Sequence, residues 1–392
     1  MTKTIKQALA LLACLLLTFF SFTNAADAPL IPGAPTVDAK AYILIDSTTG
    51  SVLAANNPDQ RVPPASLTKL MTLYVVFDQL KKGTIHLTDQ VRVSKKAWQT
   101  TGSRMFLREG MTPTIEELIQ GVIVDSGNDA CVALAEFIAG SEDAFVGMMN
   151  NQAKQLGMTN SHFMDANGLP SPDHYTTARD LATLTRALIQ NFPGYYHYFS
   201  ERWFEYNNIK QPNRNRLLWR YPYADGLKTG HTTAAGYCII GSAEKNGMRL
   251  IAVVMGASSD EARATAAEAL LTYGFRFFTT VKLYSTNQII ATPTVYFGAQ
   301  KTVPVGLQQN LYITVPAGAE KIVTTTTQLT TPLKAPLTQY QDVGTLTVLL
   351  NQNTLAIAHL ATLQSVAQGG FFSRMRDHVT VGFGHYFGHD KQ

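Results

Sequence analysis

With 392 residues the chain is long enough for two or three domains and a sizeable core. Its make-up is 45% hydrophobic, 10% aromatic and 15% charged, which excludes a wholly disordered, collagen-like or disulfide-framework protein. The net charge is +4, and setting aside Lys3 and Lys6 leaves 30 basic against 28 acidic residues, too even a balance to imply nucleic acid as partner.

The first 25 residues read as an export signal. Lys3 and Lys6 give a basic start, an uncharged apolar run extends from Ala8 to Phe22, and small residues follow, with cleavage expected after Ala25 or Ala28. The run is too short for the roughly 20 residues that span a bilayer. Cys14 lies inside it, so after cleavage only Cys131 and Cys238 remain. Their spacing matches no metal or redox motif, and both are expected as buried, small apolar residues.

From residue 26 to 281 helix and strand signals mix, which predicts an α/β (α+β) catalytic domain. Ala41–Ile45 and Ser51–Leu53 flank a turn at Asp46–Gly50. After Pro63-Pro64, Leu67, Leu70, Met71, Tyr74 and Val75 recur at helical spacing, so a buried helix is expected from near Ser66. Gly236–Ala243 and Met248–Met255 flank Asn246-Gly247, a strong hairpin signal.

Residues 282–366 hold 16 threonines but only two acidic residues, Glu320 and Asp342. Runs such as Leu311–Val315 and Thr345–Leu350 predict a small all-β domain rather than a threonine-rich stalk. Residues 367–392 open with Gly369-Gly370 and place Phe371, Met375, Val379, Phe383 and Tyr386 on one helical face. An amphipathic helix from Phe371 to Gln392 that contacts a membrane interface is expected, in preference to one docked on the β domain.

Three short motifs follow in order, Ser66-Leu-Thr-Lys69, Ser126-Gly-Asn128 and Lys228-Thr229-Gly230, spaced 60 and 102 residues apart. Singly each has an ordinary explanation: a helix cap with a solvated lysine, a turn before a helix, a strand entry. A second Ser-x-x-Lys, Ser242 to Lys245, sits at a strand end where side chains three apart point to opposite faces. Ser66 and Lys69 instead share one helix face. A serine hydroxyl needs a base, and a lysine is one only when neutral, which burial and a nearby cation such as Lys228 favour. Ser126 then offers a hydroxyl relay and Asn128 an amide for a substrate carbonyl. Gly230 permits close approach of a substrate backbone, and the N–H groups of Ser66 and His231 suit an oxyanion hole.

The conjunction resembles the penicillin-recognising serine acyltransferases, and more narrowly the low-molecular-mass penicillin-binding proteins that act as D-alanyl-D-alanine carboxypeptidases. The likeness extends to Gly102-Ser-Arg-Met-Phe-Leu107, Asn213-Arg-Asn215 with Leu217-Leu-Trp219, His231-Thr232 and Tyr273-Gly-Phe-Arg-Phe-Phe278. It implies a β-lactamase/transpeptidase-like catalytic domain in which Ser66 is acylated, Lys69 is its general base, and Ser126 with Asn128 relays protons and holds substrate. Lys228, Thr229, Gly230 and His231 match the third motif, and Arg263 the arginine that helps hold the terminal carboxylate. The implied partners are a peptidoglycan stem pentapeptide, β-lactams and the periplasmic face of the cytoplasmic membrane. No cofactor or metal is implied, and monomer and homodimer both stay open.

A class A β-lactamase uses a glutamate to activate water, but no Glu lies between Asn160 and Asp180. The motifs leave open a D,D-endopeptidase or transpeptidase on crosslinked peptidoglycan, and a non-catalytic peptidoglycan-binding scaffold.

Overall fold

The structure, a computed structural model, describes residues 31–372 together with 374, 375 and 377. The expected export signal, and the terminal helix beyond its first turns, lie outside the described residues.

Strand β1 (Ala41–Asp46) sends Ile43 and Ile45 into one core and Tyr42 and Leu44 into another, as the period of two requires. It pairs with β2 (Val52–Asn56) across the expected turn. A small hairpin, β3 (Trp203–Tyr206) with β4 (Ile209–Pro212), stands apart. Strands β5 (Ala224–Thr232), β6 (Gly236–Lys245) and β7 (Met248–Ala257) complete an antiparallel sheet ordered β2-β1-β7-β6-β5. The β6–β7 hairpin turns at Asn246 (φ 53°) and Gly247 (φ 79°), the two left-handed residues that a type I′ turn demands.

One face of this sheet packs on the helix Asp260–Phe277 through Ala267, Leu270 and Leu271. The other meets the helix Ala178–Asn191, and the helices Lys69–Lys82 and Asn128–Ala139 share the core behind it. The helix Lys69–Lys82 is buried through most of its length, so its apolar residues run nearly all round it rather than along one stripe.

Two expectations shift. Residues Ala65–Thr68 form a 3-10 turn, and the α-helix starts at Lys69 rather than near Ser66. Ala65 enters that turn at φ 50°, and a Cβ on Gly168 would lie 1.9 Å from the Ala65 carbonyl oxygen, so the turn is packed against a neighbouring loop from its first residue. Lys228–Gly230 lies in the middle of strand β5, not at a strand entry. Both faces of β5 are covered there, so the alternation that marks a half-exposed strand is missing.

The strand-rich region begins at Phe278, ahead of the composition change at Lys282. Strand β8 (Phe278–Tyr284) pairs with β12 (Leu311–Pro316). The larger sheet has the order β13-β15-β16-β11-β9, from Val323–Leu329, Asp342–Leu350, Asn353–Thr362, Val305–Gly306 and Ile289–Ala291. Strands β10 (Val295–Tyr296) and β14 (Leu333–Lys334) pair in parallel beside it. Its core includes Val295, Val305, Leu346 and Leu360, while the hydroxyl run Thr324–Thr327 faces solvent. The two regions meet at Asp46, which is fully buried. Its carboxylate accepts from the Thr48 N–H (2.7 Å), the Thr314 hydroxyl (2.8 Å) and the Thr280 hydroxyl.

Cys131 and Cys238 are both buried free thiols, and burial raises them to about 12 and about 11. Neither is poised as a thiolate.

Candidate active site

The Ser66 turn, the start of the helix Asn128–Ala139 and strand β5 converge. Ser66 is half-buried and its Oγ accepts a hydrogen bond from Lys69 Nζ at 2.8 Å. That Nζ also donates to the Asn167 carbonyl at 2.7 Å, and the whole lysine is excluded from water. Burial therefore lowers its pKa from the ordinary lysine value, with Arg214 acting in the same sense and Cys131, Asp165 and Asp129 opposing. Arg214 adds to burial, and the expected cation, Lys228, interacts with Lys69 by mutual repulsion.

Ser126 ends a π-helical turn, Gly121–Asp125, and adopts φ 60°, which swings its hydroxyl toward β5. Its Oγ accepts from Lys228 Nζ at 2.9 Å. Lys228 is buried too, and its pKa falls well below the usual value through burial, then the fields of Lys69, Arg214 and Arg263. Two buried ammonium groups in one field resist being protonated together. Lys69 and Lys228 are thus held toward the neutral amine, the form that takes a proton.

Asn128 is fixed by one amide N–H donated to the Thr101 carbonyl at 2.6 Å, while its Oδ1 is buried without a partner among the described residues. The side chain therefore presents an open acceptor as well as its second N–H.

Gly230 has a packing role beside the close substrate approach expected of it. A Cβ there would lie 3.1 Å from Ser66 N, 3.2 Å from Leu67 N and 3.3 Å from the Ala65 Cβ. The glycine lets the Ser66 turn pack on β5 and keeps the Ser66 amide close to the strand that carries His231. Thr229 is buried next to it, whereas the His231 side chain is exposed and its ring lies tilted against Tyr237, 4.1 Å between centroids.

Arg263 is buried on the helix Asp260–Phe277 and donates Nη1 to the carbonyls of Gly230 (3.0 Å) and Cys238 (3.3 Å). Its Nη2 is paired with Asp260. The guanidinium thus braces β5 and β6 beside Gly230, and much of its donor fork is committed inside the protein.

Two groups escaped the motif reading. Arg214, inside the quoted Asn-Arg-Asn, donates Nε to the Asp125 carbonyl at 3.2 Å and bears electrostatically on both lysines. Asp125 is buried, its Oδ1 has no partner among the described residues, and its pKa rises to about 7, chiefly through burial. A cavity of about 680 Å³ opens beside the Ser66 turn, walled by Pro63, Pro64, Leu169, Pro170, Tyr175 and Thr232. It reaches the turn through Ala65, the residue before Ser66, and is large enough for a peptide or a lactam.

Residues 28–259 match the family model of D-alanyl-D-alanine carboxypeptidases, and residues 278–368 that of the penicillin-binding protein 5 C-terminal domain. The D-alanyl-D-alanine carboxypeptidase DacC of Escherichia coli K12 is 45% identical, with 91% of each chain covered. DacA of the same strain is 42% identical over 98% of each. Among solved structures, penicillin-binding protein 5 from Haemophilus influenzae superposes with a TM-score of 0.83 at 40% identity, covering 87% of this chain and all of that one. The α/β region therefore has the transpeptidase-like fold with a C-terminal β domain, and the chain belongs to the D-alanyl-D-alanine carboxypeptidase family.

Proposed function

We propose that the chain is a serine-type D-Ala-D-Ala carboxypeptidase that works through an acyl-enzyme on Ser66. One observation carries this reading: a fully buried lysine, unpaired with any carboxylate among the described residues, holds its Nζ 2.8 Å from a half-buried serine Oγ. Neutral Lys69 takes the hydroxyl proton as Ser66 Oγ attacks the carbonyl of the penultimate D-alanine of a peptidoglycan stem pentapeptide. The N–H groups of Ser66 and His231 receive the oxyanion. As the C–N bond breaks, the proton that Lys69 took is relayed through the Ser126 hydroxyl to the departing amine, which returns Lys69 to its neutral form, and Lys228 holds that hydroxyl in place. Terminal D-alanine leaves, and water then adds to the ester, returns the proton to Ser66 Oγ and frees the tetrapeptide. Thr229 and Asn128 hold the substrate backbone. Arg263 contributes positive charge toward the terminal carboxylate while bracing β5. β-Lactams open their amide on the same Oγ and stay attached.

Penicillin should appear as a mass adduct on the peptide containing Ser66, and Ser66→Ala should lose both that adduct and D-alanine release. An adduct at wild-type level on the variant would overturn the assignment. Release from a crosslinked dimer but not from a free pentapeptide would move the reading to an endopeptidase.

The reading places the protein at the periplasmic face of the cytoplasmic membrane, exported by residues 1–25 and held by the segment Phe371 to Gln392. In support, Phe371 and Phe372 are 66% and 82% exposed where that segment begins. Deleting residues 371–392 should release the protein from membrane fractions with its soluble activity intact. Truncated protein that still pellets with membranes would sink the anchor.

A further inference from the structure

The loop that supplies the Asn167 carbonyl is organised by a carboxylate that the mechanism above does not use. Asp165 Oδ1 accepts from the backbone N–H groups of Asn167 (2.8 Å) and Gly168 (2.5 Å), and Oδ2 accepts from that of Leu169 (3.1 Å). Behind it stands His174, 2% exposed, with Nδ1 3.7 Å from Asp165 Oδ2 and Nε2 3.0 Å from Thr68 Oγ1. Thr68 precedes Lys69, so His174 ties the far side of the loop to the turn that carries both Ser66 and Lys69. Gly168 packs directly on the Ala65 carbonyl, so the loop and the turn have no slack between them.

Resting on the Ser66–Lys69 reading, we propose that Asp165, backed by His174, is a positioning residue that fixes the Asn167 carbonyl against Lys69 Nζ and so aims the amine at Ser66. The chemistry needs this aim. A neutral amine has one lone pair and two N–H bonds, and it accepts the serine proton only along that lone pair. A carbonyl 2.7 Å away takes one N–H and removes most of the rotational choice, leaving the lone pair for Ser66 Oγ. A carboxylate suits the task because it accepts all three loop N–H groups at once, which a carboxamide does not. Its charge is also felt by Lys69, together with Asp129, Cys131, Arg214 and Lys228 from the other elements around the cleft.

The test is the second-order rate of acylation by a fluorescent penicillin, followed from pH 5 to 10 on the full-length protein, with the adduct mapped to Ser66 in the wild type. That mapping separates failure of the nucleophile assignment from failure of this inference. Asp165→Asn should lower the plateau about ten- to hundred-fold. It should also move the acid limb, where Lys69 gains its proton, to lower pH, because a negative charge near the ammonium has gone. His174→Gln keeps that charge and a partner for Thr68, so its plateau should fall several-fold with the limb in place. A purely structural role moves neither limb. Wild-type plateaus in both variants, or falls that only track the loss of folded protein by circular dichroism, would overturn the proposal.

Discussion

The cleft and the seam between the two regions both bury charged side chains, with opposite outcomes. In the cleft Lys69 and Lys228 are buried with hydroxyls and carbonyls for company and no carboxylate partner among the described residues. At the seam Asp46 is equally buried, but two turn N–H groups and the hydroxyls of Thr280 and Thr314 surround it. A charge that burial leaves short of partners gives up its ionised state and becomes an acid–base group. A carboxylate supplied with donors holds two surfaces together.

The contrast can be broken at either end. Lys69→Arg keeps the positive charge and hydrogen-bonding capacity but removes the neutral form, since guanidinium stays protonated at any working pH. Acylation by a fluorescent penicillin should fall on the order of a thousand-fold while the melting temperature hardly moves. A variant that retains a tenth of the wild-type rate would show that Lys69 acts as a charge, not a base. At the seam, Asp46→Ala strands four donors and should cost about 3–5 kcal/mol in urea unfolding. Acylation per folded molecule should stay unchanged, and a matching loss of rate would mean that the seam and the cleft are one unit.

How much of this was legible from the sequence follows the same division. The cleft depends on a few residue types at fixed spacing, so Ser66, Lys69, Ser126 and Lys228 stood out, and the structure brings them together in two hydrogen-bonded pairs. The β6–β7 hairpin was readable because Asn246-Gly247 forces its own turn. The partners were not. Asn167 acts through its backbone carbonyl, which no residue type announces, and Asp165 looks like any loop aspartate until its three N–H donors are seen. The placement of Lys228–Gly230 inside β5 was hidden because burial on both faces erases the strand's alternation. Asp46 read as a turn residue; its role at the seam needs Thr280 and Thr314, which lie more than 230 positions away.

Asp125 sharpens the comparison most finely, because it is the same residue type as Asp46 with a different set of donors. Its Oδ1 is buried without a partner among the described residues, and its pKa rises to about 7. Burial is the main cause; Asp129 adds to it, while Arg214 and Lys228 pull the other way. In the unfolded chain the carboxyl titrates near 3.9. Between those two values the folded state holds a proton that the unfolded state has lost, so raising the pH through this window destabilises the fold. Asp125→Asn cannot ionise and escapes the penalty. Urea unfolding of the variant and the wild type should agree at pH 4 and separate progressively as the pH climbs. By pH 8 the variant should be the more stable, by on the order of 3 kcal/mol. Asp46→Asn should instead be the weaker variant, since one carboxamide oxygen replaces the two carboxylate oxygens that its donors share. A stability difference for Asp125→Asn that is flat from pH 4 to 8 would mean that this carboxyl is ionised and solvated like a surface aspartate, and that the cleft's burial of charge is confined to its two lysines.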